Sequence, residues 1–115
     1  MNNSILADVK KLCQVPDWDD GFDTELMIHI NTALMTLNQL GVGPPGGFVV
    51  TSSEDTWASL VEGDKEIEGV KTYVGLKVKM VFDPPTASAV IESYKNTIAE
   101  LEYRLNCHAE GDFYD

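Results

Sequence analysis

Residues Phe22 to Leu40, FDTELMIHINTALMTLNQL, combine a start signal, a stop signal and an unbroken apolar stripe. Phe22, Leu26, Ile30, Ala33 or Leu34, Leu37 and Leu40 recur three or four apart, which puts them on one side of a helix. Asp23 is placed to act as N-cap, Glu25 suits the positive pole of the first turn, and Gly41 is placed as a left-handed C′ residue. Met27, Ile28 and Met35 widen the apolar arc, so this helix is expected to contact neighbours on two sides, within the chain or on another subunit.

A chain of 115 residues is long enough for one domain, spanning 1–115, and too short for two. Nineteen acidic against eight basic residues leave a net charge of −11, which argues against a nucleic-acid-binding surface built on clustered Lys and Arg. Arg104 is the sole arginine. An acidic wall can still sit beside DNA if its task is to let the polymer pass without sticking. With two cysteines, Cys13 and Cys107, no signal-peptide pattern and no apolar run long enough for a membrane span, the expectation is a cytosolic protein with reduced thiols.

Ser4 to Cys13 reads as a short helix capped by Ser4, with Ile5, Val9, Leu12 and Cys13 on one face and Pro16 beyond its end. The turn DWDDGFD gathers Asp17, Asp19, Asp20 and Asp23, but lacks the twelve-residue spacing and terminal Glu of a calcium loop. Trp18 and Phe22 are expected to plug the junction of the first two helices. In GVGPPGGFVV, Val42 stands where a Schellman motif makes its apolar contact with Leu37, and Pro44-Pro45 keeps the helix from resuming. Those prolines also remove donors that a phosphate loop needs, so the segment reads as a rigid connector leading into an extended Phe48-Val49-Val50.

Thr51 or Ser52, followed three residues later by Glu54 or Asp55, announces a short helix carrying Trp57 and Leu60. Glu62 to Gly69 reads as a solvated acidic loop. Val70 to Phe82 fits two periods: strict alternation suits a strand, while Val70, Val74, Val78 and Val81 also line up on a helix. A strand of that length needs neighbours, and Phe48 to Thr51 is the one partner on offer, so helix is preferred, with Gly75 marking close approach of another backbone. After Asp83-Pro84-Pro85, Thr86 is expected to cap a last helix whose Ile91, Tyr94, Ile98, Leu101 and Leu105 form a heptad-like seam. Residues 107–115 read as a flexible tail, with Phe113 and Tyr114 as a possible docking element.

The fold class that follows is all-α: a compact bundle of about four to five helices with extended loops and at most one short β segment. Catalysis finds little support. Cys107 and His108 adjoin in sequence without a third group to orient the histidine, and His29 borders the apolar face as a half-buried or interface residue. Cys13, His29, Cys107 and His108 lack the paired spacing of a zinc site, so neither metal nor cofactor is expected.

Four blocks, HINTALMTLNQLGVGPPGGF from His29 to Phe48, Trp57, KTYVGLKVKMVFDPP from Lys71 to Pro85, and ELEYRLN ending at Asn106, occur in an order that resembles the small head-tail connector, or head completion, proteins of long-tailed bacteriophages and prophages, also described as DNA-packaging proteins. The resemblance implies a mostly helical, non-enzymatic subunit that forms a ring of about a dozen copies below the portal protein. That ring would continue the DNA channel and seat the next neck or stopper protein, in the virion neck after assembly in the host bacterial cytoplasm. Double-stranded DNA would pass without sequence-specific binding, and no membrane would be involved. The resemblance also favours helix for Val70 to Phe82. It nominates as assembly or channel surfaces Pro44, Pro45, Phe48, Val49, Glu62, Asp64, Glu66, Glu68, Lys71, Lys77, Lys79, Phe113 and Tyr114, with the lysines pairing to acids of the next subunit. The alternative is a small acidic adaptor or regulatory module that binds a basic protein.

Overall fold

The computed structural model describes residues 4–44, 46–60 and 67–109, which form five helices: α1 Ile5–Leu12, α2 Asp23–Gln39, α3 Trp57–Leu60, α4 Ile67–Phe82 and α5 Ser88–Ala109. The protein is all-α. Among the described residues the only β pairing is an isolated antiparallel bridge between Ser4 and Thr56, and Phe48 to Val50 has no regular secondary structure. No helix among them is long and apolar enough to cross a membrane.

The Ser4 hydroxyl caps α1 by accepting from the Ala7 amide at 3.1 Å. Ile5, Leu6, Val9 and Cys13 turn into the core. Leu12, expected on that face, is 40% exposed, while Lys10 is buried to 5%. A buried ammonium has to be paired. Lys10 Nζ meets Asp23 Oδ1 at 3.0 Å and donates to the Asp17 carbonyl at 3.2 Å, and it is the one partner of that buried carboxylate oxygen among the described residues. This role displaces the expected one: Asp23 is the first helical residue of α2, Phe22 occupies the N-cap, and no side chain caps there.

The C-terminus of α2 follows its sequence. Gly41 has φ 90°, its amide bonds the Asn38 carbonyl at 3.0 Å, and the Val42 amide bonds the Leu37 carbonyl at 2.9 Å, the two bonds of a Schellman motif. The α1 end repeats the motif with a non-glycine residue: Gln14 has φ 64°, and Val15 bonds back to the Lys10 carbonyl at 2.8 Å.

The α2 and α4 helices run antiparallel through the centre, with Phe22 at the start of one edge-to-face on Phe82 at the end of the other, centroids 5.3 Å apart. Leu26, Ile30, Leu34 and Leu37 pack against Val70, Tyr73, Val74 and Val78, so Val70 to Phe82 is helical and its alternation only mimics a strand. Each of these aliphatic side chains contributes roughly 1.5–3 kcal/mol by burial, more than local β preference can offset. The close approach at Gly75 comes from a side chain, not a backbone: a Cβ there would lie 2.6 Å from Leu12 Cδ2.

Two other expected caps move. The α3 helix opens at Thr56, whose hydroxyl accepts from the Ser59 amide at 3.2 Å, while Asp55 Oδ2 accepts from the amides of Thr51 and Ser52 and ties the preceding turn. The α5 helix opens at Ser88, with the Ala87 carbonyl accepting from Val90 and Ile91, so Thr86 lies outside it. It packs on α4 through Ile98, Leu101 and Leu105, with Ile91 and Tyr94 only half-buried. Residues 107–109, assigned to the tail on sequence, continue the helix; Phe113 and Tyr114 lie outside the described residues.

Candidate assembly surface

Helices α1 and α5 grip opposite sides of α4. Lys71 faces Asp8 of α1 at 3.9 Å, and the Tyr73 hydroxyl donates to Glu102 of α5 at 2.7 Å. Two residues apart on a helix is about 200° of rotation, which places these partners on opposing flanks. Burial, and after it the bond to Glu102, keeps the Tyr73 hydroxyl protonated well above its ordinary range.

Because α5 leans on α4 and hardly on α2, a groove of about 470 Å³ opens between α2 and α5. Met80 and Val81 of α4 form its floor, Ala33 and His29 one wall, and Ile98 and Ala99 the other. Its basic side chains are Lys77, whose ammonium lies 5.8 Å from the Tyr73 ring centroid, and Lys95; neither has an ion-pair partner among the described residues. Glu102, the carboxylate in the lining, is engaged by Tyr73, and His29 Nε2 lies 3.6 Å from Glu25. An apolar trough with two uncommitted lysines is a local reversal of sign on a chain of charge −11.

The outward face of α2 is exposed as well. Ile28 is 59% and Met35 63% exposed, one turn either side of Thr32, whereas Met27 packs against the core. The surplus apolarity of this helix therefore divides into one packing residue and two surface ones. Trp18, expected to plug the α1–α2 junction, is 84% exposed instead. With Asp17, Asp19 and Asp20 beside it, burying the indole would desolvate carboxylates that have no cationic partner among the described residues.

The nominated residues that lie among the described ones do not form one cluster. Phe48 packs on the core and Val49 beside it is exposed. The Asn31 side chain on α2 acts as a substitute strand edge, accepting from the Val50 amide at 2.7 Å and donating to its carbonyl at 3.0 Å. Asn38 donates to the Pro44 carbonyl at 3.0 Å and fixes the glycine-proline connector. Asn106 of α5 donates to the Leu40 carbonyl at 3.2 Å and closes the end of α2. These three amides were not singled out from the sequence. The spacings give no local sign of such bonds, though an Asn inside an apolar helix is itself a hint.

Glu68 is exposed and lies 3.8 Å from Lys71, and Lys79 pairs with Asp83 at 3.0 Å, so of the three nominated lysines only Lys77 is uncommitted among the described residues. Pro45, Glu62, Asp64, Glu66, Phe113 and Tyr114 lie outside the described residues. No group of three His, Cys, Asp or Glu among the described residues could hold a metal ion. Cys13 and Cys107 are free thiols, and burial pushes the Cys13 thiol up, away from the reactive thiolate.

Comparison with curated proteins and with solved structures returns no match. The family model for phage connector proteins does match, over residues 5–112, and so takes in all five helices and the connectors between them. On that match the chain belongs to the phage connector protein family, and its role is structural, in assembly of the phage virion.

Proposed function

We propose that this chain is the subunit of a ring of about a dozen copies that docks below the portal, extends the DNA channel and seats the next neck or stopper protein. The observation that carries this reading is the family match over residues 5–112. The exposed apolar residues Ile28 and Met35, and the open groove beside them, are what a subunit built to be covered in an assembly needs. The acidity supports a passive channel. DNA binds proteins mainly by exchanging counterions for Lys and Arg, and a ring carrying −11 per copy would repel the phosphates and limit adhesion during passage. The whole chain acts as one domain, in the virion neck after assembly in the bacterial cytoplasm.

The test is to incubate the purified, folded chain with portal particles and image the mixture. Added ring density on the portal is the expected result, and portal particles unchanged by excess chain would refute the reading.

A further inference from the structure

We infer that the exposed Trp18 loop of one copy seats in the groove between α2 and α5 of the next, a head-to-tail contact that rests on reading the chain as a self-assembling connector. Two independent features meet in it. The first is a knob: an indole 84% exposed on a short turn, flanked by the exposed carboxylates of Asp17 and Asp20, on a loop whose backbone is tied to α1. Lys10 grips the Asp17 carbonyl at 3.2 Å, and Asp19 Oδ1 accepts from the Gly21 amide at 3.0 Å. A tryptophan on a loop whose backbone is already tied brings a large apolar surface for only two side-chain torsions, which is why such residues dominate interface energetics.

The second feature is the hole. Val81, Ile98 and Ala99 offer apolar contact, and Lys77 and Lys95 stand at the groove without an ion-pair partner among the described residues. Apolar floor meets indole, and lysines meet the aspartates on either side of it. Glu102 also faces the groove, but its carboxylate is tied to Tyr73.

Trp18 does not occupy the groove of its own chain, since its indole is 84% exposed. Its anchor, Lys10, belongs to α1, and α1 and α5 lie on opposite flanks of α4. A knob on one flank and a matching hole on the other make a heterologous contact, which repeats from copy to copy and closes into a ring when the rotation per step allows.

Cysteine trapping tests this whatever the affinity. In a Cys107→Ser background, with Cys13 left buried, chains carrying Asp20→Cys are mixed with chains carrying Ala99→Cys and oxidised with diamide, alone and with portal particles present. The control pair is Asp20→Cys with Ser53→Cys, an exposed position away from the groove. The expected result is covalent dimer at least about tenfold faster than in the control pair, because the contact raises the local thiol concentration. Adding Trp18→Ala to the Asp20→Cys chain should return the rate to the control, with the circular dichroism of the chain unchanged. Trapping at the control rate in both conditions, or trapping indifferent to Trp18→Ala, overturns the inference; the acidic-aromatic segment 110–115 or another protein as true occupant would give that result. Chains that fail this test yet add ring density to portal particles would keep the connector reading and lose only the interface.

Discussion

Gln14 holds φ 64°, a conformation that costs an L-residue roughly 1 kcal/mol and glycine nothing. Gln14→Gly should therefore raise stability by at most about 0.5 kcal/mol, because the freer unfolded chain offsets half or more of the gain. The urea midpoint should rise with an unchanged slope. Tyr73 gives a pH signature of known sign. Its folded-state pKa is raised by burial and then by Glu102, so its contribution is complete below the unfolded value near pH 10 and is lost as pH rises beyond that. Wild-type stability should fall above pH 10 with a Tyr73 component of up to about 1.4 kcal/mol per pH unit. Tyr73→Phe should cost roughly 1–2 kcal/mol at neutral pH and lack that component, so urea melts of the two chains converge as the solution becomes alkaline. A constant gap would show that the hydroxyl does not remain protonated in the folded state. At this scale the sequence was uneven as a guide. The Ser4 cap and the Gly41 turn were legible because both depend on neighbours within a few positions. The Lys10–Asp23 pair and the Asn31–Val50 bonds join residues that only the tertiary fold brings together.

Each helix keeps or loses its expected role according to what covers it. The α4 segment satisfies both a two-residue and a 3.6-residue period, and its environment decides: α2 covers Val70, Val74 and Val78, while α1 and α5 take the flanks. At Gly75 a side chain of α1 lies close against α4. Replacing Gly75 by alanine gains about 1 kcal/mol of helix propensity but sets a Cβ 2.6 Å from Leu12 Cδ2. Leu12 is half-exposed and can swing away, so Gly75→Ala alone should change stability by less than about 1 kcal/mol. In a Leu12→Ala background the clash is gone and the same change should stabilise by about 0.5–1 kcal/mol, a coupling that a double-mutant cycle reads directly. Additive effects would mean that the two helices are further apart than described. Trp18 is the plainest failure of element-level reading. Hydrophobicity places a tryptophan inside, yet three aspartates on the same turn keep it out, and their charge is the signal that sequence inspection can weigh against the indole.

Two exposed apolar regions, and a groove whose lysines have no ion-pair partner among the described residues, go with a net charge of −11 and suit a structural role in virion assembly. The apolar breadth of α2 was visible in the sequence, but not its division: Met27 completes the core while Ile28 and Met35 remain outside. The groove could not be read in advance, because it arises from α5 leaning on α4 and away from α2, a tertiary choice that the heptad-like seam does not specify. The family, by contrast, was legible from block order alone, since that order reflects the whole chain and not any one contact. Native mass spectrometry of portal particles titrated with the folded chain reads ring formation by mass. One discrete, saturable mass step equal to about a dozen chains of 12.7 kDa each is expected. Portal particles that keep their own mass at saturating chain, or gain mass without a fixed stoichiometry, would contradict ring formation.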